Sequence, residues 1–165
     1  MLKLLKNLSV GISLIEPKVP SAALQIITSI LFKESFRILH YDDASNRSTV
    51  MDVTRRLIVD DPVDILIGPY SSVLTSAAAE VAEGQGKLLW NQGGASDDVY
   101  RRGYGWIVGV LTPASRYLAG LLPMVREADP TASTIALVRA STGEFSQAVC
   151  SGVAEMASGQ GFDVV

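Results

Sequence analysis

Residues 63–67 (Val-Asp-Ile-Leu-Ile) form an almost unbroken apolar run that stops at Gly68-Pro69-Tyr70-Ser71-Ser72 and gives way to an Ala-rich, helix-periodic stretch. So short and apolar a run reads as a strand covered on both faces. Gly68 permits a tight exit from it, and a serine at the helix start can accept from the backbone N–H groups that have no partner there. The same grammar recurs one unit later, where residues 87–91 run into Gln92-Gly93-Gly94-Ala95-Ser96-Asp97. A chain written this way is largely confined to a parallel sheet flanked by helices. In such a sheet, two Gly- and Ser-bearing turns at the carboxyl ends of strands border one crevice.

The rest of the chain keeps the alternation. Strands are predicted at residues 8–15, 36–41, 63–67, 87–91, 104–111, 135–138 and 162–165. Helices are predicted at 22–33 after Pro20-Ser21, at 48–59, at 72–83, at 113–128 and at 145–158. The second of these puts Val50, Val53, Leu57 and Ile58 on one face and is stopped by Asp60-Asp61-Pro62. Gly84 and Gly86 end the third, and Pro113 falls in the first turn of the fourth, where a missing N–H is tolerated. The fold class is therefore α/β, a doubly wound parallel sheet, with a first α/β lobe over 1–112 and a crossover into a second over 113–165. The boundary falls at Leu111-Thr112-Pro113, where a strand meets a Thr-Pro start instead of a Gly-rich turn. The last residues read as the opening of a strand, so a truncated second lobe is expected.

Composition removes several function classes. With 48% hydrophobic and 19% charged residues, the 165-residue chain can bury a sizeable core. A net charge of -3 and scattered basic residues, with Arg55-Arg56 and Arg101-Arg102 as the basic pairs, give no footprint for nucleic acid. One histidine, His40, excludes a multi-histidine metal site, and one cysteine, Cys150, cannot close an internal disulfide. Lys3 and Lys6 precede an apolar run, but Glu16-Pro17-Lys18 stands where a signal-peptide cleavage site would be, which favours a first strand.

The candidate chemistry is that of binding. Ser71 and Ser72 can cap a helix or present hydroxyl and N–H groups to a carboxylate. Gly94, Ala95 and Ser96 can bring backbone close to a ligand, and Ser96 or Asp97 can cap the segment after them. Asp42-Asp43 could hold Mg²⁺, but reads better as a solvated turn in which Asp43 and Ser45 cap the next helix. Catalysis finds little support. No nucleophile-elbow, Walker-type or dinucleotide-binding glycine pattern is present, so no cofactor is called for. His40 lies within a strand, and Cys150 reads as a buried small hydrophobe on a helix.

Several pieces recur in a fixed order: Tyr41-Asp42-Asp43-Ala44-Ser45, Ile67-Gly68-Pro69-Tyr70-Ser71-Ser72, Gly93-Gly94-Ala95-Ser96-Asp97 and Arg102-Gly103-Tyr104. After them come residues 109–117, then Gly143-Glu144-Phe145-Ser146 and Gly161-Phe162-Asp163-Val164-Val165. In order and spacing the set resembles the periplasmic substrate-binding proteins of branched-chain amino-acid ABC transporters, of the leucine/isoleucine/valine type. The resemblance implies a type I periplasmic binding fold in which an amino acid or small carboxylate is held between two hinged lobes. It further implies delivery to an ABC permease, an extracytoplasmic location and no catalysis. Carried over by position, Ser71, Ser72, Gly94, Ala95, Ser96 and Phe145 would contact the ligand. Phe145 would cover it from the second lobe without a tyrosine's hydroxyl. A ligand-sensing domain of a signalling protein shares this fold and is the alternative, with an enzyme fragment behind it.

Overall fold

The computed structural model describes residues 37–165 and the backbone of residues 9–14. Five parallel strands form the main sheet: β1 (Ser9–Leu14), β2 (Arg37–Asp42), β3 (Ile65–Ile67), β4 (Leu89–Asn91) and β5 (Ile107–Gly109), in the order β2-β1-β3-β4-β5. The register places Val10 beside both Ile38 and Ile65, and Leu66 beside Leu89. The order reverses between β1 and β3. The carboxyl-end turns of β3 and β4 therefore open beside a switch point, the usual ligand crevice of open α/β sheets. The helix expected at 22–33 lies outside the described residues.

Two helices cover one face of this sheet. In α1 (Arg47–Val59), Val50, Thr54 and Leu57 are buried, while Val53 and Ile58 are half-buried. Its cap is Asn46, whose Oδ1 accepts from Ser48 N at 2.9 Å and Thr49 N at 3.2 Å. The expected cap from Asp43 and Ser45 is corrected, because the Asp43 carboxylate is folded into its own turn. Its Oδ1 accepts from Ser45 N at 2.8 Å, just as Asp42 Oδ1 accepts from Ala44 N at 2.7 Å.

Helix α2 (Ser72–Gly84) packs Leu74, Ala77, Ala78 and Ala82 against Leu66 and Leu89 of the sheet and Val50 and Leu57 of α1. Its small residues allow the close approach. Gly86, at φ +60, ends it: Lys87 N donates to Ala82 O at 2.9 Å and Gly86 N to Glu83 O at 3.1 Å. That is a left-handed cap glycine satisfying the last carbonyls. Among the described residues, no helix of this main sheet packs on the opposite face. Leu89 and Asn91 are buried while Trp90 between them is 43% exposed, because α1 and α2 both pack on the side that Leu66 and Leu89 face.

A second, two-stranded parallel sheet joins β6 (Thr134–Ile135) to β7 (Asp163–Val164). A one-turn helix α3 (Asp98–Arg101) lies between β4 and β5, directly after the second Gly- and Ser-bearing turn. The single helix predicted over 113–128 is instead a 3₁₀ turn (Ala114–Arg116) followed by α4 (Leu121–Ala128). Pro123 explains the break. Inside a continuous helix it would remove a backbone donor and clash with the carbonyl four residues back. Starting α4 at Leu121 puts Pro123 in the first turn, where donors have no partner anyway. Helix α5 (Glu144–Gly159) connects β6 to β7 and buries Val153 and Ala157 against Leu122 and Phe162. Arg126 closes this small core from outside. Its guanidinium lies 4.3 Å over the Phe162 ring and donates to the carbonyls of Pro130, Ala132, Gln160 and Gly161 at 2.6–3.2 Å.

Candidate functional site

The two turns singled out in the sequence touch. Ser71 N donates to Gly93 O at 3.1 Å, and the Gln92 side-chain amide donates to Gly68 O at 2.9 Å. Gly93 lies so close to the Pro69-Tyr70 backbone that an added Cβ would stand 2.7 Å from Pro69 O. Gly94 is pressed in the same way against the Thr75 side chain. Both glycines thus serve the close packing of the second turn on the first turn and α2, and Gly93 also borders the cavity described below.

Asn91 holds the second turn together, and the sequence reading does not single it out. It is fully buried at the end of β4. Its Nδ2 lies 2.6 Å from both Gly94 O and the Tyr100 hydroxyl, and its Oδ1 accepts from Gly94 N at 2.8 Å and Gly93 N at 3.2 Å. Asn shortly before Gly-Gly at a strand end is a side-chain-capped turn signal, and that signal could have identified it.

In the first turn, Ser71 caps α2: its Oγ accepts from Leu74 N at 3.3 Å. It adopts φ 90 and ψ 146, a conformation that non-glycine residues rarely hold. Ser72 is buried and its Oγ accepts from Ser96 N at 3.0 Å, so that hydroxyl ties one turn to the other. Ser72 N and Val73 N open α2, where no preceding carbonyl is in place to receive them. The positive end of the helix dipole lies at the same point.

These groups border a cavity of about 460 Å³. Ser71, Ser72 and Ala95 line it from the main sheet, with Tyr70, Gln92 and Gly93. Phe145 lines it from α5, joined by Leu111 and Tyr117. The Tyr117 and Phe145 rings meet edge to face, 5.3 Å apart at 75°. No Asp, Glu, Lys, Arg or His lines the cavity among the described residues. Its field is therefore that of the helix end and a few hydroxyls, set against aromatic carbon.

Of the six residues expected to contact a ligand, Ser71, Ser72, Ala95 and Phe145 line this cavity, whereas Gly94 and Ser96 stand behind its wall. Ser96 is fully buried; its Oγ reaches the carbonyl of Glu144 at 3.5 Å and lies 3.4 Å from Asp98 N. Asp97 does not cap α3. Its carboxylate instead receives Ser115 N at 3.0 Å and Ser115 Oγ at 2.7 Å, which fixes the 3₁₀ turn beyond β5. Partial burial pushes the Asp97 carboxyl up, but the Ser115 hydrogen bonds and the Arg101 charge outweigh it and hold its pKa below the ordinary value. His40 is half-buried on β2. Cys150 is half-buried too, not fully buried as expected, and lines a separate hollow with Leu137 and Arg139. No group of three or more His, Cys, Asp or Glu side chains suited to a metal occurs among the described residues.

A parallel α/β sheet with a helix amino end facing an uncharged cavity, closed from the far side by a second α/β unit, defines a two-part solute-binding fold. Residues 34–165 match the family model described as periplasmic binding protein, and the chain belongs to that family. Among solved structures, an ABC transporter substrate-binding protein from Desulfitobacterium hafniense, in complex with Leu, superposes at a TM-score of 0.81 with 12% identity. The match covers 97% of this chain and 50% of that one. A leucine-binding protein from Thermotoga maritima gives 0.77 and 14%, over 96% and 47% of the two chains. A solute-binding protein of an ABC transporter from Rhodopseudomonas palustris, in complex with 3,4-dihydroxybenzoic acid, gives 0.76 and 16%, over 96% and 46%. These likenesses establish the fold, and the chain spans about half the length of each.

Proposed function

We propose that residues 1–112 and 113–165 belong to two lobes, and that the cavity between them binds an amino acid or small carboxylate without altering it. One observation carries this reading: the amino end of α2 meets an uncharged cavity whose opposite side is aromatic. A carboxylate placed there gains the N–H groups of Ser72 and Val73 and the helix dipole, with no acidic side chain to repel it. The Ser71 hydroxyl and the Ala95 backbone complete the polar end, while Phe145 and Tyr117 cover the apolar end. Gly94 and Ser96 act one step back, by holding the turns in place.

Binding suits the two serines better than catalysis does, since each hydroxyl already accepts a backbone N–H and no histidine borders the cavity among the described residues. The reading needs no cofactor. The family points to an ABC permease as the partner of the whole protein and to an extracytoplasmic location. No helix among the described residues is long and apolar enough to cross a membrane.

Isothermal calorimetry with leucine, valine and 3,4-dihydroxybenzoate tests the proposal. At least one should bind one-to-one, and Phe145→Ala should weaken it roughly tenfold by removing a ring from the cavity wall. Absence of heat from all three overturns it.

A further inference from the structure

Phe145 is the residue by which α5 reaches the cavity, and its neighbour Glu144 is anchored on the opposite unit. The Glu144 carboxylate accepts from Ser76 Oγ on α2 at 3.0 Å, and its carbonyl lies 3.5 Å from Ser96 Oγ in the second turn. Both serines are buried, at 1% and 0% exposure, so their hydroxyls have little access to water as a substitute. Glu144 is also the first residue of α5, where a carboxylate is favoured by the helix dipole. Two turns further along, Gly152 packs directly on the backbone of Ser115, where any Cβ would collide. Ser115 in turn hangs from Asp97. Helix α5 is thus held twice: at its middle by a backbone contact with no side chain to adjust, and at its start by one acidic side chain.

We infer that Glu144 is a latch, a positioning residue that docks the start of α5 on Ser76 and Ser96 and so sets how far Phe145 closes the cavity. Gly152 on Ser115 is the pivot. With the latch made, the Phe145 ring stands against Tyr117 over the cavity; with it released, the start of α5 swings away while the pivot stays. The functional consequence rests on the solute-binding reading, but the latch itself does not.

Spin labels at Asp52→Cys on α1 and Thr142→Cys at the head of α5, both exposed positions and the second on the swinging side of the pivot, in a Cys150→Ser background report the separation of the two units by pulsed electron–electron double resonance without ligand. The parent should give one narrow distance population. Glu144→Ala and Ser76→Ala should each raise the long-distance population about tenfold, and the double variant no further. Glu144→Gln should restore the parent distribution, because its amide oxygen still accepts from Ser76. Superimposable parent and Glu144→Ala distributions overturn the latch, as do additive single variants or a Gln variant that behaves like Ala. Loss of helical circular dichroism alongside the broadening also overturns it, since α5 would then have unfolded rather than swung. A protein that binds none of the calorimetric ligands still tests the latch by these distances.

Discussion

Helices α2 and α5 both begin at the cavity, yet they are seated very differently. Nine of the thirteen residues of α2 are buried, against three of the sixteen in α5. Helix α2 shares one core with α1, β3 and β4, whereas α5 sets Val153 and Ala157 against just two other buried residues, Leu122 and Phe162, under the Arg126 clamp. Local opening follows the amount of buried apolar contact. The cavity therefore has one fixed wall, carrying the polar groups, and one adjustable wall, carrying the Tyr117 and Phe145 rings. Such a division suits a site in which the polar end of a ligand is read by a preorganised surface and enclosure comes from movement of the other side.

The comparison breaks or holds on where a deletion is felt. Asn91→Ala removes the partner of the Gly93 and Gly94 amides, the Gly94 carbonyl and the Tyr100 hydroxyl in one step. Stranding buried polar groups costs about 1–3 kcal/mol each, and partial relaxation leaves an expected loss of about 3 kcal/mol in a urea melt. Arg126→Ala removes as many hydrogen bonds, but most of its acceptors are solvent-exposed. Water replaces much of that loss, so about 1–2 kcal/mol is expected. Hydrogen exchange separates the two cases: Arg126→Ala should speed exchange in α5 and leave the amides of β3 and β4 unchanged. Equal acceleration in both would mean a single cooperative unit and would remove the fixed-and-adjustable distinction.

That fixed wall is the more legible half. Its strands are apolar runs ending in glycine, and the hydroxyls of Ser71 and Ser72 sit where helix starts are expected, so local signals agree with the tertiary result. Direction is what local signals do not disclose. Whether Ser72 faces a ligand or the neighbouring turn depends on Ser96 lying 3.0 Å away, a contact between residues 24 positions apart. The same holds for Gly93 and Gly94, whose role is set by Pro69 on the other turn and Thr75 on α2. The adjustable wall is harder to read. Leu111 and Tyr117 flank a 3₁₀ turn fixed by Asp97, and a helical period running through Pro113 conceals the break that Pro123 imposes.

Ser71→Gly sharpens the distinction with a smaller effect of opposite sign. At φ 90 and ψ 146 a serine is strained by about 1–3 kcal/mol, which glycine escapes. Losing the cap hydroxyl costs only a few tenths when glycine replaces it, and the extra flexibility of the unfolded chain takes back part of the gain. A net stabilisation of about 1 kcal/mol is expected by thermal melting, together with weaker binding of any ligand found by calorimetry. Stability gained with affinity unchanged would show that the Ser71 hydroxyl contributes to the helix cap and nothing to the ligand.

The smallest expected effect lies in the joint between the walls. The Asp97 carboxyl is held below its ordinary value by Ser115 despite partial burial, so the folded state prefers it ionised. A depressed folded pKa gives stability that is fully present above the unfolded value, about 3.9, and is lost as the pH falls through the folded one. Between about pH 6 and pH 5, then, the parent should hold nearly constant stability, and below about pH 4 it should decline as Asp97 takes up a proton. In Asp97→Asn that part of the decline should vanish, leaving a protein uniformly weaker at neutral pH and less sensitive to acid. Urea melts of both proteins from about pH 6 to about pH 3 read this directly. The label pair on α1 and at the head of α5 adds the structural half: if Asp97 anchors the pivot through Ser115, acid should broaden the distance distribution in the parent before the main sheet loses its circular dichroism. A distribution that stays narrow until the sheet melts would place the pivot in the Gly152–Ser115 packing alone, independent of the carboxylate beneath it.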